Sequence, residues 1–163
     1  MKHILKIAMI VLAATALWGC YQEPQPLDNP FVYITTASAE GYPNTQTRDE
    51  ISAQSNNLTY ELYVWLSTKA FVEDIVVEYE VVVGDGLKEG VDFVVQKSAA
   101  SPMTFKPGTY KLPLRISWRK TENLDPTKDN TVTFRLTRCS RSDFTLGLLG
   151  PDALCREFVF TKK

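Results

Sequence analysis

The sequence predicts an all-β fold, an antiparallel β-sandwich of about seven or eight strands with Greek-key connections. Apolar and polar residues alternate in several segments, and clusters of turn residues such as Gly84-Asp85-Gly86 separate these segments. No segment longer than two turns has the 3.6-residue period of a helix. With 163 residues, of which 44% are hydrophobic, the chain is long enough for one domain with an ordinary core.

The alternation also places the strands. Successive side chains of a strand point to opposite faces, so each alternating segment has one apolar face and one polar face. Long strands are predicted in residues 58–67, 74–83, 109–118, 131–138 and 157–161, and shorter ones in Phe31–Thr35, Asp92–Gln96 and Met103–Phe105. Pro113 has no backbone N–H, so its strand is expected to lie at an edge or to carry a bulge there. The polar stretch 37–57 is long for a loop, and we expect either a further strand around Thr45–Ala53 or a mobile binding loop.

The first 30 residues have the pattern of an export signal followed by a tether. A short basic start precedes the uncharged run from Ile7 to Leu17, which is too short to cross a hydrocarbon core about 30 Å thick. The run ends in Leu17-Trp18-Gly19-Cys20, which resembles the bacterial lipoprotein signal. This resemblance implies removal of residues 1–19 and attachment of fatty acyl groups such as palmitate to Cys20. Residues 20–30 would then form a Pro-rich tether ahead of a domain over residues 31–163.

Removal of residues 1–19 would also change the charge and the chemistry of the chain. Lys2, Lys6 and His3 would leave, so 16 Lys+Arg (18 less two) would remain against 19 Asp+Glu, a net charge of −3. His3 is the only histidine, so the remaining chain has no Ser-His-Asp, Cys-His or histidine metal site. We therefore expect neither an enzyme nor a cofactor. An acidic balance gives no basis for a nucleic-acid partner, and no later segment is apolar enough to predict a transmembrane span.

Five motifs in a fixed order resemble those of Calx-beta-like domains and of the immunoglobulin-like domains in small Bacteroidetes lipoproteins. They are Gly90-Val91-Asp92-Phe93, Phe105-Lys106-Pro107-Gly108, Arg119-Lys120-Thr121-Glu122-Asn123-Leu124, Val132–Leu136 and Ser142-Asp143-Phe144-Thr145-Leu146-Gly147. The resemblance covers roughly residues 55–161 and implies an immunoglobulin-like sandwich. Such domains are commonly found with glycan-uptake lipoproteins or adhesin-like surface proteins, and the resemblance implies the same association.

The resemblance makes calcium the candidate metal, because Calx-beta domains can bind it through loop acids. The candidate acids are Asp85, Glu89, Asp92, Asp125, Asp129, Asp143 and Asp152. Calcium needs six to eight oxygen ligands, and the dense acidic run of the calcium-binding members is absent here. No metal site is therefore predicted, and Asp92 is expected to accept hydrogen bonds from backbone amides of its own turn.

Aromatic residues on a polar face are the candidate ligand-binding residues. Tyr63 and Trp65 fall on the polar face of the 58–67 strand, and Tyr42 in the long loop adds a third ring. Exposed rings can stack against the apolar face of a sugar, whereas rings covered by another segment would belong to the packing. Glu78 and Glu80 lie two apart on one strand, a spacing compatible with a glycosidase pair, but charges on a solvent face explain them without a cleft.

Cys139 and Cys155 lie in the last two predicted strands. Both share strand parity with polar neighbours, so both are expected to point away from the core. If they lay directly opposite each other, they could form a disulfide, which an exported compartment permits. Two unpaired thiols are the alternative.

These observations lead to two hypotheses about function. The first is a lipid-anchored protein of the cell outer membrane, on its periplasmic side or on the cell surface. There it would act as a non-catalytic accessory glycan-binding protein of a polysaccharide-uptake system. The second is a structural, adhesin-like or assembly protein that binds a protein partner by strand addition at a sheet edge.

Overall fold

The computed structural model describes residues 29–36, 45–96 and 101–163. These residues form ten β-strands and no helix. The strands are β1 (Phe31–Thr36), β2 (Arg48–Ile51), β3 (Leu58–Ser67), β4 (Ile75–Val83), β5 (Phe93–Val95), β6 (Met103–Phe105), β7 (Lys111–Trp118), β8 (Thr131–Cys139), β9 (Thr145–Leu146) and β10 (Glu157–Lys162).

The strands form two five-stranded sheets, in the orders β5-β7-β3-β1-β9 and β2-β10-β8-β4-β6. Every odd-numbered strand lies in the first sheet and every even-numbered strand in the second, so each connection crosses between the sheets. Two pairings are parallel, β1 with β9 and β10 with β2, so the sandwich is mixed and not purely antiparallel as expected. All the predicted strands are present, and β2 lies inside the stretch where a further strand was considered. The two-residue β9 was not predicted.

The core lies between the sheets and consists of the apolar positions that the alternation placed inward. Leu62, Val64, Leu114 and Ile116 from the first sheet and Phe134 from the second are fully buried. Trp118 is also fully buried, with ring centroids 5.7 Å from Phe93 and 5.6 Å from Phe160. Side chains of these sizes contribute roughly 1.5–3 kcal/mol each when buried, so this core stabilises the packing of the two sheets.

Pro113 lies in a stretch of β7 that has β3 as its strand neighbour among the described residues. Within the described residues, β5 pairs with β7 from Ile116 to Trp118, and the Gln96 amide donates to the Arg115 carbonyl at 3.0 Å. Backbone groups of alternate residues face the same side, so the side of Pro113 that lacks an N–H faces beyond the end of β5. The expectation that this strand lies at an edge or carries a bulge at Pro113 is wrong, because β7 lies between β5 and β3 and pairs with β3 without a register shift.

A buried lysine joins both sheets at one end of the sandwich. Lys162 is 1% exposed, and its Nζ donates to the carbonyls of Asp92 (3.1 Å) and Arg119 (2.5 Å) and to Thr121 Oγ1 (2.6 Å). Thr121 in turn donates to the Asp92 carboxylate, which also accepts the Lys88 amide at 2.8 Å. Two of the sequence motifs therefore meet at Lys162, and the expected bond from a backbone amide to Asp92 is confirmed. Burial lowers the pKa of Lys162.

Cys139 and Cys155 do not form a disulfide with each other, and their predicted orientations away from the core are wrong. The register between β4 and β8 shifts at Thr137, which puts Cys139 opposite the fully buried Val77 and turns it toward the core. Cys155 is 1% exposed and precedes β10 in a turn with φ of 60°, where its carbonyl accepts the Ile34 amide. Glu157 lies opposite Arg135, so the cysteines are not opposite each other and the considered disulfide is not formed.

Several predictions fall on residues outside the described ranges. These are the signal over 1–19, the lipidated Cys20 and most of the tether over 20–30, and also Tyr42. Within the described ranges, no helix is long and apolar enough to cross a bilayer.

Candidate binding face

Two of the three predicted aromatic residues, Tyr63 and Trp65, lie on the outer face of the first sheet, on its central strand. The register places Trp65 of β3 between Tyr33 of β1 and Lys111 of β7. Tyr63 lies two residues before Trp65 and is therefore on the same face, opposite Pro113. Neighbouring strands are about 4.8 Å apart, so the line from Lys111 through Trp65 to Tyr33 spans roughly 10 Å.

We call Tyr33, Trp65 and Tyr63 the aromatic row. All three side chains are partly exposed, so the row is solvent-accessible and not part of the core. The rings of Tyr33 and Trp65 are close to parallel, with an interplanar angle of 13° and centroids 6.5 Å apart. Burial raises the pKa of the Tyr33 hydroxyl, which keeps it protonated and available as a donor near neutral pH. Tyr33 supports one side of Trp65, because a stacked neighbour restricts the orientation of the indole ring.

Lys111 lies beside Trp65, on the side opposite Tyr33. Its Nζ is 5.0 Å from the ring centroid of Tyr63 and 5.1 Å from that of Trp65, within the range of a cation–π interaction. The residue is exposed, and its ammonium has no hydrogen bond or ion pair with any side chain in the described ranges. Its three N–H donors are therefore open to solvent or to a ligand.

Glu61 fixes the orientation of Tyr63. Its carboxylate accepts a hydrogen bond from the Tyr63 hydroxyl and another from Arg115 on the neighbouring strand. The bond from Tyr63, followed by the contact with Arg115, lowers the pKa of Glu61, and the same bond raises the pKa of Tyr63. The end of the row is thus held by an ionised carboxylate and a neutral phenol near neutral pH.

The aromatic row is a partly exposed surface, and its rings could stack against a ligand. The grooves of about 550 Å³ and about 580 Å³ lie elsewhere, one beside Asn130 and Lys162 and the other beside Phe71 and Arg141. Stacking of a ring on a ligand needs only an exposed flat surface, whereas an acid–base pair needs an enclosed site. Glu78 and Glu80 are occupied in surface ion pairs with Arg138 (3.5 Å) and Arg135 (3.2 Å).

Acidic side chains do not converge in the described part of the chain. No three His, Cys, Asp or Glu side chains within residues 29–36, 45–96 and 101–163 are grouped closely enough to hold a metal ion. The loop acid Asp125 accepts its hydrogen bonds from the amide and hydroxyl of Thr127, at 2.9 Å and 2.7 Å. The Asp129 carboxylate accepts a hydrogen bond from the Thr131 hydroxyl at 2.7 Å. These acids stabilise their own turns.

Sequence reasoning found Tyr63 and Trp65 but missed Tyr33 and Lys111. Parity alone puts Tyr33 on the outer face of β1 and Lys111 on the outer face of β7. It does not say which strands are neighbours or how they are aligned, and that register brings both residues beside Trp65.

Comparison with known proteins gives a likeness of fold alone. No family model matches the sequence, and no curated protein matches it. One solved structure of similar fold, a Calx-beta domain described as "Crystal structure of CBD12 from CALX1.2", shares 19% sequence identity with a TM-score of 0.45. The alignment covers 71% of this chain and 42% of that chain, so this chain spans less than half the length of that structure. The sandwich itself follows from the strands and register described above.

Proposed function

We propose that this protein is a non-catalytic binding module that holds a glycan against the aromatic row. The observation that supports this is the row itself: three partly exposed rings aligned across two neighbouring strands, with polar groups at their margins. An apolar sugar face would stack on Trp65. The hydroxyl groups at the sugar's edge would find a donor in Lys111 and an acceptor in Glu61.

The rigidity of the surface supports the same proposal. The row lies on the middle strands of a sheet, where backbone hydrogen bonds on both sides of β3 hold it in place. The orientations of Tyr63 and Trp65 are further restricted by Glu61 and Tyr33. A surface fixed before binding loses little side-chain entropy when a ligand arrives, which favours affinity.

The proposed location is the outer membrane, with the domain anchored through lipid on Cys20. The support is the Leu17-Trp18-Gly19-Cys20 sequence after an uncharged run, followed by Pro24, Pro26 and Pro30. Two or more acyl chains hold a protein stably at a membrane, whereas one chain gives only marginal binding. Incorporation of labelled palmitate into the full chain, and its loss in Cys20→Ser, tests this part of the proposal.

Affinity electrophoresis in gels that contain soluble polysaccharides tests the binding function. A polysaccharide that binds should retard the full-length protein in the gel. Trp65→Ala should weaken the affinity by about tenfold or more, equivalent to about 1.4 kcal/mol, and so abolish the retardation. Thr59→Ala is the matched control, because Thr59 lies on the same strand and face but outside the row. Wild-type mobility that is unchanged by every polysaccharide would refute the glycan proposal.

Strand addition to a protein partner is the alternative. The edge strands of the two sheets are short, with two residues in β9, three in β5 and β6, and four in β2, which leaves little backbone for an added strand. Pro113 lacks the donor that an added strand would need beside β7. Co-purification with a protein partner that is unaffected by Trp65→Ala would favour this alternative over the glycan.

A further inference from the structure

The charge on the binding face points to a more specific ligand. Given the proposed glycan function, on which this inference rests, we propose that the aromatic row binds an acidic saccharide. Its uronate carboxylate or sulfate would pair with Lys111 while the sugar ring stacks on Trp65. The two acidic groups share the relevant chemistry, since each presents anionic oxygens to a cationic donor.

Among the described residues, the face has one positive charge in excess of its negative charges. The charged side chains pointing outward from β1, β3 and β7 are Glu61, Lys111 and Arg115. Glu61 forms an ion pair with Arg115 and also interacts electrostatically with Lys111, which has no ion pair of its own in the described ranges; one carboxylate therefore faces two cations, and the outward charges of these strands sum to +1. This excess of positive charge stands out on a chain whose formal net charge is −1. An anionic ligand would neutralise the excess positive charge of this face, whereas a neutral ligand would not.

The position of Lys111 allows both contacts at once. Its ammonium lies above two rings, where the cation–π interaction contributes only about 0.5–1 kcal/mol at an exposed site. A charge-assisted hydrogen bond to an anion is stronger than that contact, so the ammonium can turn toward an anionic ligand. Trp65 lies directly opposite Lys111 across the β3–β7 pair, at the distance at which one saccharide unit reaches both side chains.

Matched pairs of polymers test the proposal without assuming which acid is present. Polygalacturonate is compared with its methyl-esterified form, and dextran sulfate with dextran, by affinity electrophoresis of the full-length protein. The acidic member of at least one pair should bind about tenfold more tightly than its neutral partner, and this preference should weaken as salt rises. Which pair shows the preference distinguishes a carboxylate ligand from a sulfate ligand.

Variants at Lys111 assign the preference to this residue. Lys111→Gln should remove the preference, so that the acidic polymer binds no more tightly than its neutral partner, and Lys111→Arg should retain the preference. Lys120→Gln is the matched control, because it removes the same charge from a loop outside the face, where Lys120 pairs with Glu122. An equal loss in both variants would mean that net charge acts and not the site, which would overturn the proposal.

The outcomes also separate this inference from the function on which it depends. Equal affinity for both members of every pair, with binding still lost in Trp65→Ala, overturns the acidic ligand but retains the glycan-binding face. Absence of binding to all four polymers overturns the acidic-ligand proposal, and a wider polysaccharide panel then decides the glycan function by itself.

Discussion

Replacing Lys162 by methionine removes one ammonium group from the end of the sandwich while keeping most of the length of the side chain. Two backbone carbonyls and the Thr121 hydroxyl would lose their donor. A hydrogen bond from a charged group contributes about 1.5–3 kcal/mol net, and an unmet buried acceptor costs about 1–3 kcal/mol. The change therefore removes interactions that connect β10 to the loop before β5 and to the loop after β7.

An opposing effect limits the size of the loss. The buried ammonium has given up its hydration, which is the cause of the lowered pKa of Lys162, and methionine has no such cost. We expect the balance to lower the free energy of unfolding by about 2–4 kcal/mol in Lys162→Met. Lys162→Ala also removes three methylene groups at about 0.8 kcal/mol each, so its loss should be about 2 kcal/mol larger.

Urea denaturation followed by tryptophan fluorescence measures both changes. Lys163→Met is the matched control, because Lys163 is exposed and pairs with an exposed Glu50, an ion pair expected to contribute less than about 1 kcal/mol. A Lys162→Met variant as stable as the wild type would refute the reasoning, since it would mean that the three hydrogen bonds do not offset the desolvation of the ammonium.

Two further predictions concern acid stability and the thiols. Because hydrogen bonds hold the pKa of Glu61 below its unfolded value, its contribution to stability is present above about pH 4.5 and is lost as pH falls through the folded pKa. The difference in unfolding free energy between wild type and Glu61→Gln should therefore shrink on acidification, and a constant difference from pH 7 to pH 3 would contradict this. Burial raises the pKa of Cys139 and Cys155, so both should react slowly with a thiol reagent in the folded protein and readily in urea. A mass showing a disulfide between them would contradict the register described here.

The alternation of residue types predicted the strands and their buried faces well because side-chain parity is a local property. Leu62, Val64, Leu114 and Ile116 are fully buried, as the two-residue period requires. The same parity failed at Cys139, because the bulge at Thr137 inserts one residue and turns the following side chains to the other face. Nothing in the local sequence marks that insertion.

Long-range pairing explains the remaining omissions. Lys162 shares parity with Phe158 and Phe160 and so had an inward position, but only its acceptors at Asp92, Arg119 and Thr121 make a buried ammonium tolerable. The sequence separates these residues by more than 40 positions. In the same way, Tyr33 and Lys111 become part of the binding face only through the strand order.

Titration of the full-length protein, labelled with ¹⁵N at its indole nitrogens, with the polysaccharide fragment that binds best tests the binding face most directly. The chain has three tryptophans, and Trp65→Phe identifies the Trp65 signal. Trp118 serves as an internal reference, because it is fully buried in the core. The proposed function predicts a saturable shift of the Trp65 resonance while the Trp118 resonance stays in place. Binding of the fragment with no change at Trp65 would contradict it.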